Sequence, residues 1–230
     1  MAAFELVLFD YDGTLFDTRP AIAHCLRRAF AAHGRPAPPH ERAVATIAAG
    51  LTLPESLIAL DGSLRHDQSE LSGLVETYRR LYLGESMPLL KPFAGVDVVL
   101  RQLHAGGTKS IVISNKGMAA IQRSLDQAGL LACVDMVFAD QPGLPKKPDP
   151  TILTGHILPR CGPLPRQRIL MVGDTESDIL FAKAAGIAAC WVSYGYGEAE
   201  RCRGLSPEYE IAGIADLIPL VAGDGRQHRP

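Results

Sequence analysis

Four short polar clusters in this sequence contain residue types that acid–base and nucleophilic chemistry need. Residues 10–14 read DYDGT and residues 173–178 read GDTESD, so two of the clusters are rich in carboxylates. Ser114 and Asn115 form a third cluster, and Lys147 lies in the fourth, KKPDP. Carboxylates gathered in one place repel one another unless a cation lies among them, and hard oxygen ligands suit Mg²⁺. The clusters therefore predict a magnesium site beside a lysine.

The charges of these clusters favour phosphate as the ligand. Asp10, Asp174 and Asp178 contribute three negative charges, which Lys147 and one Mg²⁺ balance if Asp12 carries a proton. A site close to neutrality can accept a phosphate dianion when hydroxyl, amide and backbone N–H donors surround it.

Each cluster taken alone also has an ordinary structural interpretation. Asp-Gly is a frequent turn pair, and Ser114 and Asn115 could be plain loop residues. Lys147 could be a solvated lysine, while Asp174 and Asp178 could cap a helix and favour its dipole. Because all four clusters would have to be coincidental, we favour the functional interpretation.

The elements that must position these clusters are indicated by apolar runs. Residues 6–9, 110–113, 169–172 and 188–192 are typical of strands buried on both faces of a sheet. Helical patterns between them end at Gly129 and Gly186, the usual residue after a helix C-terminus. This alternation predicts an α/β fold, a Rossmann-like doubly wound parallel sheet. Ligands bind beyond the carboxyl ends of such strands, where the polar clusters would converge.

Residues 17–90 interrupt the alternation. They show helical periodicity without a convincing buried strand, including a helix start near Pro20 and a helical pattern over residues 69–83. We therefore expect a core of residues 1–16 plus 91–230, with residues 17–90 forming an inserted small α-helical bundle that acts as a cap domain.

Composition excludes several classes of protein. The 230 residues are 47% hydrophobic with a net charge of -2, which favours a folded protein and argues against a nucleic-acid partner. The apolar runs near the start are too short to span a membrane, and no basic segment of a signal peptide precedes them. The five cysteines follow no pairing pattern, so we expect a reduced, cytoplasmic compartment.

The four clusters resemble the motifs of the haloacid dehalogenase (HAD) superfamily. Residues 10–15, DYDGTL, are similar to its first motif, and Ser114 with Asn115 to its second. Lys147 before a proline resembles the third motif, and Asp174 with Asp178 the fourth. The resemblance covers nearly the whole chain and is nearest to the phosphoglycolate-phosphatase-like subgroup with a helical cap. It implies a Mg²⁺-dependent phosphatase of small phosphate esters such as phosphoglycolate, acting as a monomer or homodimer.

The resemblance also implies the catalytic and metal-binding roles. Asp10 would be the nucleophile that forms an aspartyl-phosphate, and Asp12 would be the general acid and then the general base. Mg²⁺ would be held by Asp10, the backbone carbonyl of Asp12, Asp174 and Asp178, the last directly or through a water.

Phosphate binding and substrate choice complete the implied site. Ser114 and Asn115 would hold phosphate oxygens, and Lys147 would neutralise charge and orient the nucleophile. Residues 49–53 resemble a cap loop that faces the catalytic site in related phosphatases. We therefore expect Gly50 and Thr52 near the substrate, with a plain connection between two helices as the alternative.

Other activities remain open at this point. A phosphosugar mutase, similar to β-phosphoglucomutase, would use the same nucleophile and acid–base residue but return the phosphoryl group to a sugar. A haloacid dehalogenase is disfavoured, because that chemistry needs neither Mg²⁺ nor Asp12. A non-catalytic binding module would be expected to have lost Asp10 or Asp12, and both are present.

Overall fold

The computed structural model describes residues 3–48 and 51–223. The chain divides into two compact units. Unit 1 consists of Met1–Phe16 and Pro92–Pro230, and unit 2 is Asp17–Lys91.

Among the described residues, eight strands form two sheets. In chain order they are β1 (Leu6–Phe9), β2 (Phe16–Asp17), β3 (Lys91–Pro92), β4 (Lys109–Gly117), β5 (Met136–Asp140), β6 (Ile169–Gly173), β7 (Ala188–Val192) and β8 (Tyr209–Ile211). The main sheet is parallel throughout and has the order β5-β4-β1-β6-β7-β8, while β2 pairs with β3. The chain passes from β1 to β4 and β5 on one side and returns through β6 on the other, so β1 lies at the switch point where ligands bind in such sheets.

Within residues 3–48 and 51–223, ten α-helices accompany the strands. They are α1 (Arg19–Ala32), α2 (His40–Ala48), α3 (Leu53–Leu60), α4 (Gln68–Glu85), α5 (Val96–Ala105), α6 (Met118–Gln127), α7 (Leu158–Cys161), α8 (Glu176–Ala185), α9 (Ala199–Gly204) and α10 (Leu217–Ala222). A π-helical turn, Leu153–Ile157, precedes α7. Within the described residues, no helix combines the length and apolarity that crossing a membrane requires.

The centre of the main sheet explains why its strands have continuous apolar runs. Every residue of β1 and β6 is buried, because helices flank the sheet. Phe9 is in register with Val112 of β4 and Val172 of β6, which aligns the carboxyl ends of the three strands. The predicted α/β fold with a doubly wound parallel sheet is confirmed.

The sequence pattern missed two strands of the main sheet and the two-residue strands β2 and β3, and it shortened β4. β5 and β8 were not predicted, because β5 is only partly buried and β8 has three residues. β4 continues past the apolar run to Gly117, so Ser114 and Asn115 belong to the strand end rather than to a loop.

Unit 2 contains the four helices α1 to α4. Helix α1 packs against α2 and α4 with a buried face of small and apolar side chains that includes Leu26 and Phe30. After α1, Arg35 donates to Asp61 at 2.5 Å and to Glu70 at 3.1 Å, which ties α4 to the segment after α3. The helical character predicted for residues 17–90 is therefore observed.

Candidate active site

The carboxylates of Asp10, Asp174 and Asp178 converge at the carboxyl edge of the main sheet. Asp10 directly follows β1, and its N–H donates to the carbonyl of Val172 at 2.9 Å. Asp174 follows β6, and Asp178 lies in the first turn of α8. One oxygen of each carboxylate lies within 4.8 Å of the others, and all three residues are buried.

Lys147 binds two of these carboxylates. Its Nζ donates to Asp10 Oδ1 at 2.5 Å and to Asp178 Oδ1 at 2.6 Å, and its side chain is 4% exposed. This burial excludes the interpretation of Lys147 as a solvated loop lysine. The neighbouring Lys146 instead pairs with Asp140 at 2.9 Å and is 45% exposed.

Burial and mutual repulsion shift the pKa values of this cluster. Burial raises the pKa of Asp10 to about 7, although Lys147 opposes the shift, and repulsion from Asp178 and Asp12 adds to it. Burial and the charges of Asp10 and Asp178 likewise raise the pKa of Asp174. Burial alone would lower the pKa of Lys147, but its two carboxylate partners outweigh that effect and raise it. The positive charge of Lys147 alone therefore does not offset the burial and mutual repulsion of these carboxylates.

Asn115 and Ser114 lie where β4 ends, close to the lysine loop. The Asn115 side chain forms two hydrogen bonds with the Lys147 backbone, accepting from its N–H at 3.2 Å and donating to its carbonyl at 3.4 Å. The buried Ser114 hydroxyl accepts from the Lys116 N–H at 3.3 Å. These bonds give Asn115 a structural task, since it fixes the loop that delivers Lys147.

Asp12 forms an ion pair with Lys116, a residue that none of the four motifs includes. Lys116 Nζ donates to Asp12 Oδ1 at 2.9 Å. The two side chains are 25% and 10% exposed for Asp12 and Lys116 respectively, so the pair is largely shielded from solvent.

Asp174 is enclosed by donors from two loops. The Thr14 hydroxyl donates to its Oδ1 at 2.9 Å, and the Tyr196 N–H donates to its Oδ2 at 2.7 Å. Its backbone carbonyl accepts from Trp191 Nε1 at 2.9 Å. Trp191 is buried, and this hydrogen bond holds the backbone of the site in place.

Sequence analysis missed these residues, although a signal was available. Thr14 belongs to the first motif, directly after Gly13, and residues 195–197 read GYG after β7. The rule that ligands lie beyond strand ends applies to β7 as well as to β1, β4 and β6. The loop after β7 is therefore part of the candidate site.

Two glycines in the site allow contacts that no other residue could make. Gly13 has φ +84°, a left-handed conformation, and a Cβ there would lie 2.2 Å from Asp174 Oδ2. A Cβ at Gly173 would lie 2.3 Å from the Cβ of Asp178. Asp178 is turned back onto the start of α8, where its Oδ2 accepts from the Thr175 N–H at 3.0 Å and hydroxyl at 2.8 Å.

Of the two residues expected near the substrate, Thr52 lies among the described residues and Gly50 does not. Thr52 precedes α3 in unit 2, where its N–H and hydroxyl donate to Glu55 Oε2 at 2.8 and 2.6 Å. It therefore occupies the N-cap of a helix, and its contact with substrate stays a prediction. Gly50 lies outside the described residues.

Comparison with known proteins identifies the family. Residues 7–192, which span the catalytic edge from β1 to β7, match the family described as haloacid dehalogenase-like hydrolase. The chain belongs to this family. The resemblance inferred from the four motifs is thereby confirmed.

Relatives of this haloacid dehalogenase-like hydrolase include several proteins named phosphoglycolate phosphatase. It is 31% identical to the phosphoglycolate phosphatase of Pseudomonas fluorescens (strain Pf0-1) over 220 residues, covering 94% of this chain and 79% of the relative. It is 28% identical to that of Vibrio parahaemolyticus serotype O3:K6, covering 95% and 96% of the two chains. The chain is therefore a phosphatase, a phosphoric monoester hydrolase, as the motifs predicted.

Solved structures share the fold. The structure of a predicted phosphoglycolate phosphatase from Haemophilus somnus 129pt superposes with a TM-score of 0.83 and 22% identity, covering 96% of this chain and 99% of the other. This likeness supports the architecture of the haloacid dehalogenase-like hydrolase described above.

The donor set of this haloacid dehalogenase-like hydrolase fits a divalent metal, which phosphatases of the family generally use. Asp10, Asp174 and Asp178 offer hard carboxylate oxygens, and burial has stripped them of water. Together with Asp12, four carboxylates face two ammonium groups, those of Lys147 and Lys116. The four carboxylates and two ammonium groups leave a net charge of two negative, which one divalent cation would balance.

Proposed function

We propose that this phosphatase hydrolyses a small phosphomonoester through an aspartyl-phosphate on Asp10, with Mg²⁺ as its metal. The observation that carries the proposal is the Asp10–Lys147 contact of 2.5 Å inside a buried carboxylate cluster. A buried carboxylate whose orientation is fixed by a lysine is suited to in-line attack on phosphorus. The names of the relatives make phosphoglycolate the first substrate to test.

The first half-reaction transfers the phosphoryl group to the protein. A carboxylate oxygen of Asp10 attacks phosphorus, and the bond from phosphorus to the ester oxygen breaks. Asp12, protonated at this stage, donates its proton to the departing alkoxide. Lys147 supplies positive charge beside the nucleophile and the transferring group. Ser114 and Asn115 are proposed to donate to phosphate oxygens.

The second half-reaction restores the protein. Asp12, now a carboxylate, takes a proton from a water molecule, and that water attacks the phosphorus of the aspartyl-phosphate. The bond between phosphorus and the Asp10 oxygen breaks, which releases inorganic phosphate and regenerates both carboxyl groups in their initial state. Mg²⁺ held by Asp10, Asp174, Asp178 and the Asp12 carbonyl would supply positive charge to the transferring phosphoryl group.

Unit 2 is proposed to act as the cap that selects the ester, with Gly50 and Thr52 near the substrate. Thr52→Asn provides a test, because Asn retains the N-cap function of Thr but changes the side chain's shape and polarity. A change in KM without loss of thermal stability supports substrate contact, and unchanged KM contradicts it. The monomeric or dimeric state and the cytoplasmic location stay predictions.

Phosphate release from a panel of esters tests the proposal. The panel contains phosphoglycolate, sugar phosphates, nucleoside monophosphates and pyrophosphate, each with Mg²⁺ and with a chelator. We expect Mg²⁺-dependent release concentrated on one compound. Asp10→Asn keeps the shape of the side chain but removes the nucleophile, so it should abolish turnover and the acid-stable, hydroxylamine-labile phosphoprotein. Retained turnover in that variant would contradict the covalent mechanism. Wild-type protein that isomerises a sugar phosphate when a sugar bisphosphate is present, without releasing phosphate, would indicate a mutase.

A further inference from the structure

We infer that Lys116 is a positioning residue that holds the Asp12 carboxyl in place for proton transfer. This inference rests on the proposed function, in which Asp12 is the acid and base. Lys116 Nζ donates to Asp12 Oδ1 at 2.9 Å, across 104 positions of sequence, and joins the end of β4 to the loop after β1. Nothing in the four motifs assigns this task to Lys116.

Lys116 is itself held in a restricted position. Its backbone belongs to the end of strand β4, and its N–H donates to the Ser114 hydroxyl at 3.3 Å. Its Nζ lies 5.8 Å from the centre of the Tyr11 ring, within reach of a cation–π contact. With its side chain 10% exposed, the ammonium group has little freedom to leave Asp12.

The Tyr11 ring that supports Lys116 is also fixed. Tyr11 is fully buried, its ring stacks on Phe16 at a centroid distance of 5.0 Å, and its hydroxyl is hydrogen-bonded to Ser124 of α6. Tyr11 lies between Asp10 and Asp12 in the chain. The support under Lys116 therefore extends from the catalytic loop into the core of unit 1.

The two lysines of the site have separate partners. Lys147 Nζ contacts Asp10 and Asp178, whereas Lys116 Nζ contacts Asp12. Lys116 engages Oδ1 of Asp12, and Oδ2 forms no hydrogen bond among residues 3–48 and 51–223. Because the Asp12 side chain is 25% exposed, Oδ2 is left for the ester oxygen in the first half-reaction and for water in the second.

A comparison of two aryl phosphates of equal charge distinguishes a role of Lys116 in proton transfer from a role in phosphate binding. Phenyl phosphate has a poor leaving group, with a phenol pKa of about 10 like that of tyrosine, and needs the proton from Asp12. The leaving group of 4-nitrophenyl phosphate is stable as an anion and needs that proton much less. The measured quantity is the ratio of kcat/KM for the two esters with saturating Mg²⁺, since kcat/KM reports phosphoenzyme formation. The variants are Lys116→Met, Lys116→Gln, Lys116→Arg, Asp12→Asn and the double variant Asp12→Asn/Lys116→Met.

We expect Lys116→Met and Lys116→Gln to lower kcat/KM for phenyl phosphate about ten-fold more than for 4-nitrophenyl phosphate. This is less than the roughly 10²- to 10⁴-fold that a general acid contributes, because Asp12 is still present in both variants. Lys116→Arg keeps the cation and should restore most of the wild-type ratio. In the Asp12→Asn background, Lys116→Met should change the ratio no further, because the two residues act as one unit. Lys183→Met removes an exposed lysine from α8 and is the matched control.

Three outcomes would overturn the inference. An equal loss for both esters, persisting in the Asp12→Asn background, would make Lys116 a phosphate ligand. An unchanged ratio in both uncharged variants, with normal thermal unfolding, would leave Lys116 no part in proton transfer. Wild-type protein that releases phosphate from neither ester nor any compound of the panel would overturn the proposed function itself. That result differs from the first two, in which the wild type is active.

Discussion

Gly195 lies so close to Asp174 that a Cβ at position 195 would come within 2.1 Å of the Asp174 Cβ. The same loop donates the Tyr196 N–H to Asp174 Oδ2 at 2.7 Å. The loop after β7 therefore packs directly on a carboxylate that the motifs assign to the metal.

Gly195→Ala should weaken metal binding, because the added methyl group must displace Asp174 or the loop. We expect the dissociation constant for Mn²⁺, measured by electron paramagnetic resonance as a substitute for Mg²⁺, to rise roughly ten- to hundred-fold. Gly204→Ala is the matched control, since a Cβ at the end of α9 meets nothing within 4 Å. Equal Mn²⁺ affinity in both variants would show that Asp174 tolerates the displacement or does not bind the metal.

Thr14→Val should disturb the same carboxylate by removing a donor rather than by adding bulk. Thr14 is fully buried and its hydroxyl lies 2.9 Å from Asp174 Oδ1, so valine fills the space but leaves that oxygen one partner short. We expect a loss of about 1–3 kcal/mol in the free energy of unfolding, measured by urea titration with Mg²⁺ absent. Thr14→Ser keeps the hydroxyl and should lose less. If serine proves more destabilising than valine, packing of the methyl group matters more than the hydrogen bond.

Lys147 and Lys146 are adjacent in sequence but should differ sharply as methionine variants. Lys147→Met leaves Asp10 and Asp178 buried without their cation, which typically costs about 3–5 kcal/mol of stability and should reduce phosphate release to background. Lys146→Met removes an exposed pair with Asp140, worth about 0–1 kcal/mol, and should retain near wild-type turnover. Phosphate release and thermal unfolding of both variants check this contrast. A Lys146→Met variant as impaired as Lys147→Met would contradict it.

Stabilisation of the protein by Mg²⁺ should increase with pH. The folded protein raises the pKa of Asp10 from 3.8 to about 7 and that of Asp174 in the same direction, so both carboxyls hold protons that the unfolded chain has released. The contribution of Asp10 to stability is complete below pH 3.8 and is lost as pH rises through about 7, and the contribution of Asp174 is lost in the same direction. Protons compete with the metal for the same oxygens, so Mg²⁺ has its full effect only above that range.

Thermal unfolding with and without Mg²⁺ measures this dependence. At a Mg²⁺ concentration one hundred times its dissociation constant, binding adds about 2.7 kcal/mol to the free energy of unfolding. This corresponds to a Tm increase of roughly 5–10 °C for a chain of this size. We expect that increase at pH 8 and a much smaller one at pH 5. Asp174→Asn should remove most of the difference, and an equal Mg²⁺ effect at both pH values would contradict the prediction.

The elements predicted from sequence were those with a local signal. The apolar run of β1 and the glycine after α8 are local features, and the structure has a strand at Leu6–Phe9 and a helix end at Ala185. β8 has three residues, of which only Ile211 is buried, so its apolar pattern is too short to distinguish from a loop. The residue types of the site could also be predicted, because Asp10 and Asp174 each directly follow a buried strand.

The partners within the site could not be read in the same way. Lys116 and Asp12, or Gly195 and Asp174, are far apart in the chain and meet only because β4 and β6 flank β1 and β7 flanks β6. Strand order and register set these distances, and no local pattern encodes them. Trp191 illustrates the limit, since its apolar surroundings predict burial but not its hydrogen bond to the Asp174 carbonyl.

The α/β class, the family and the set of reactive side chains could be predicted from the amino-acid sequence, since periodicity and residue type at strand ends are properties of short segments. The pairing of the charges required the folded chain: Lys147 with Asp10 and Asp178, Lys116 with Asp12, and the loop after β7 with Asp174. Ion pairing and steric contact act over only a few ångströms of space. The parallel sheet brings those groups together from distant parts of the chain.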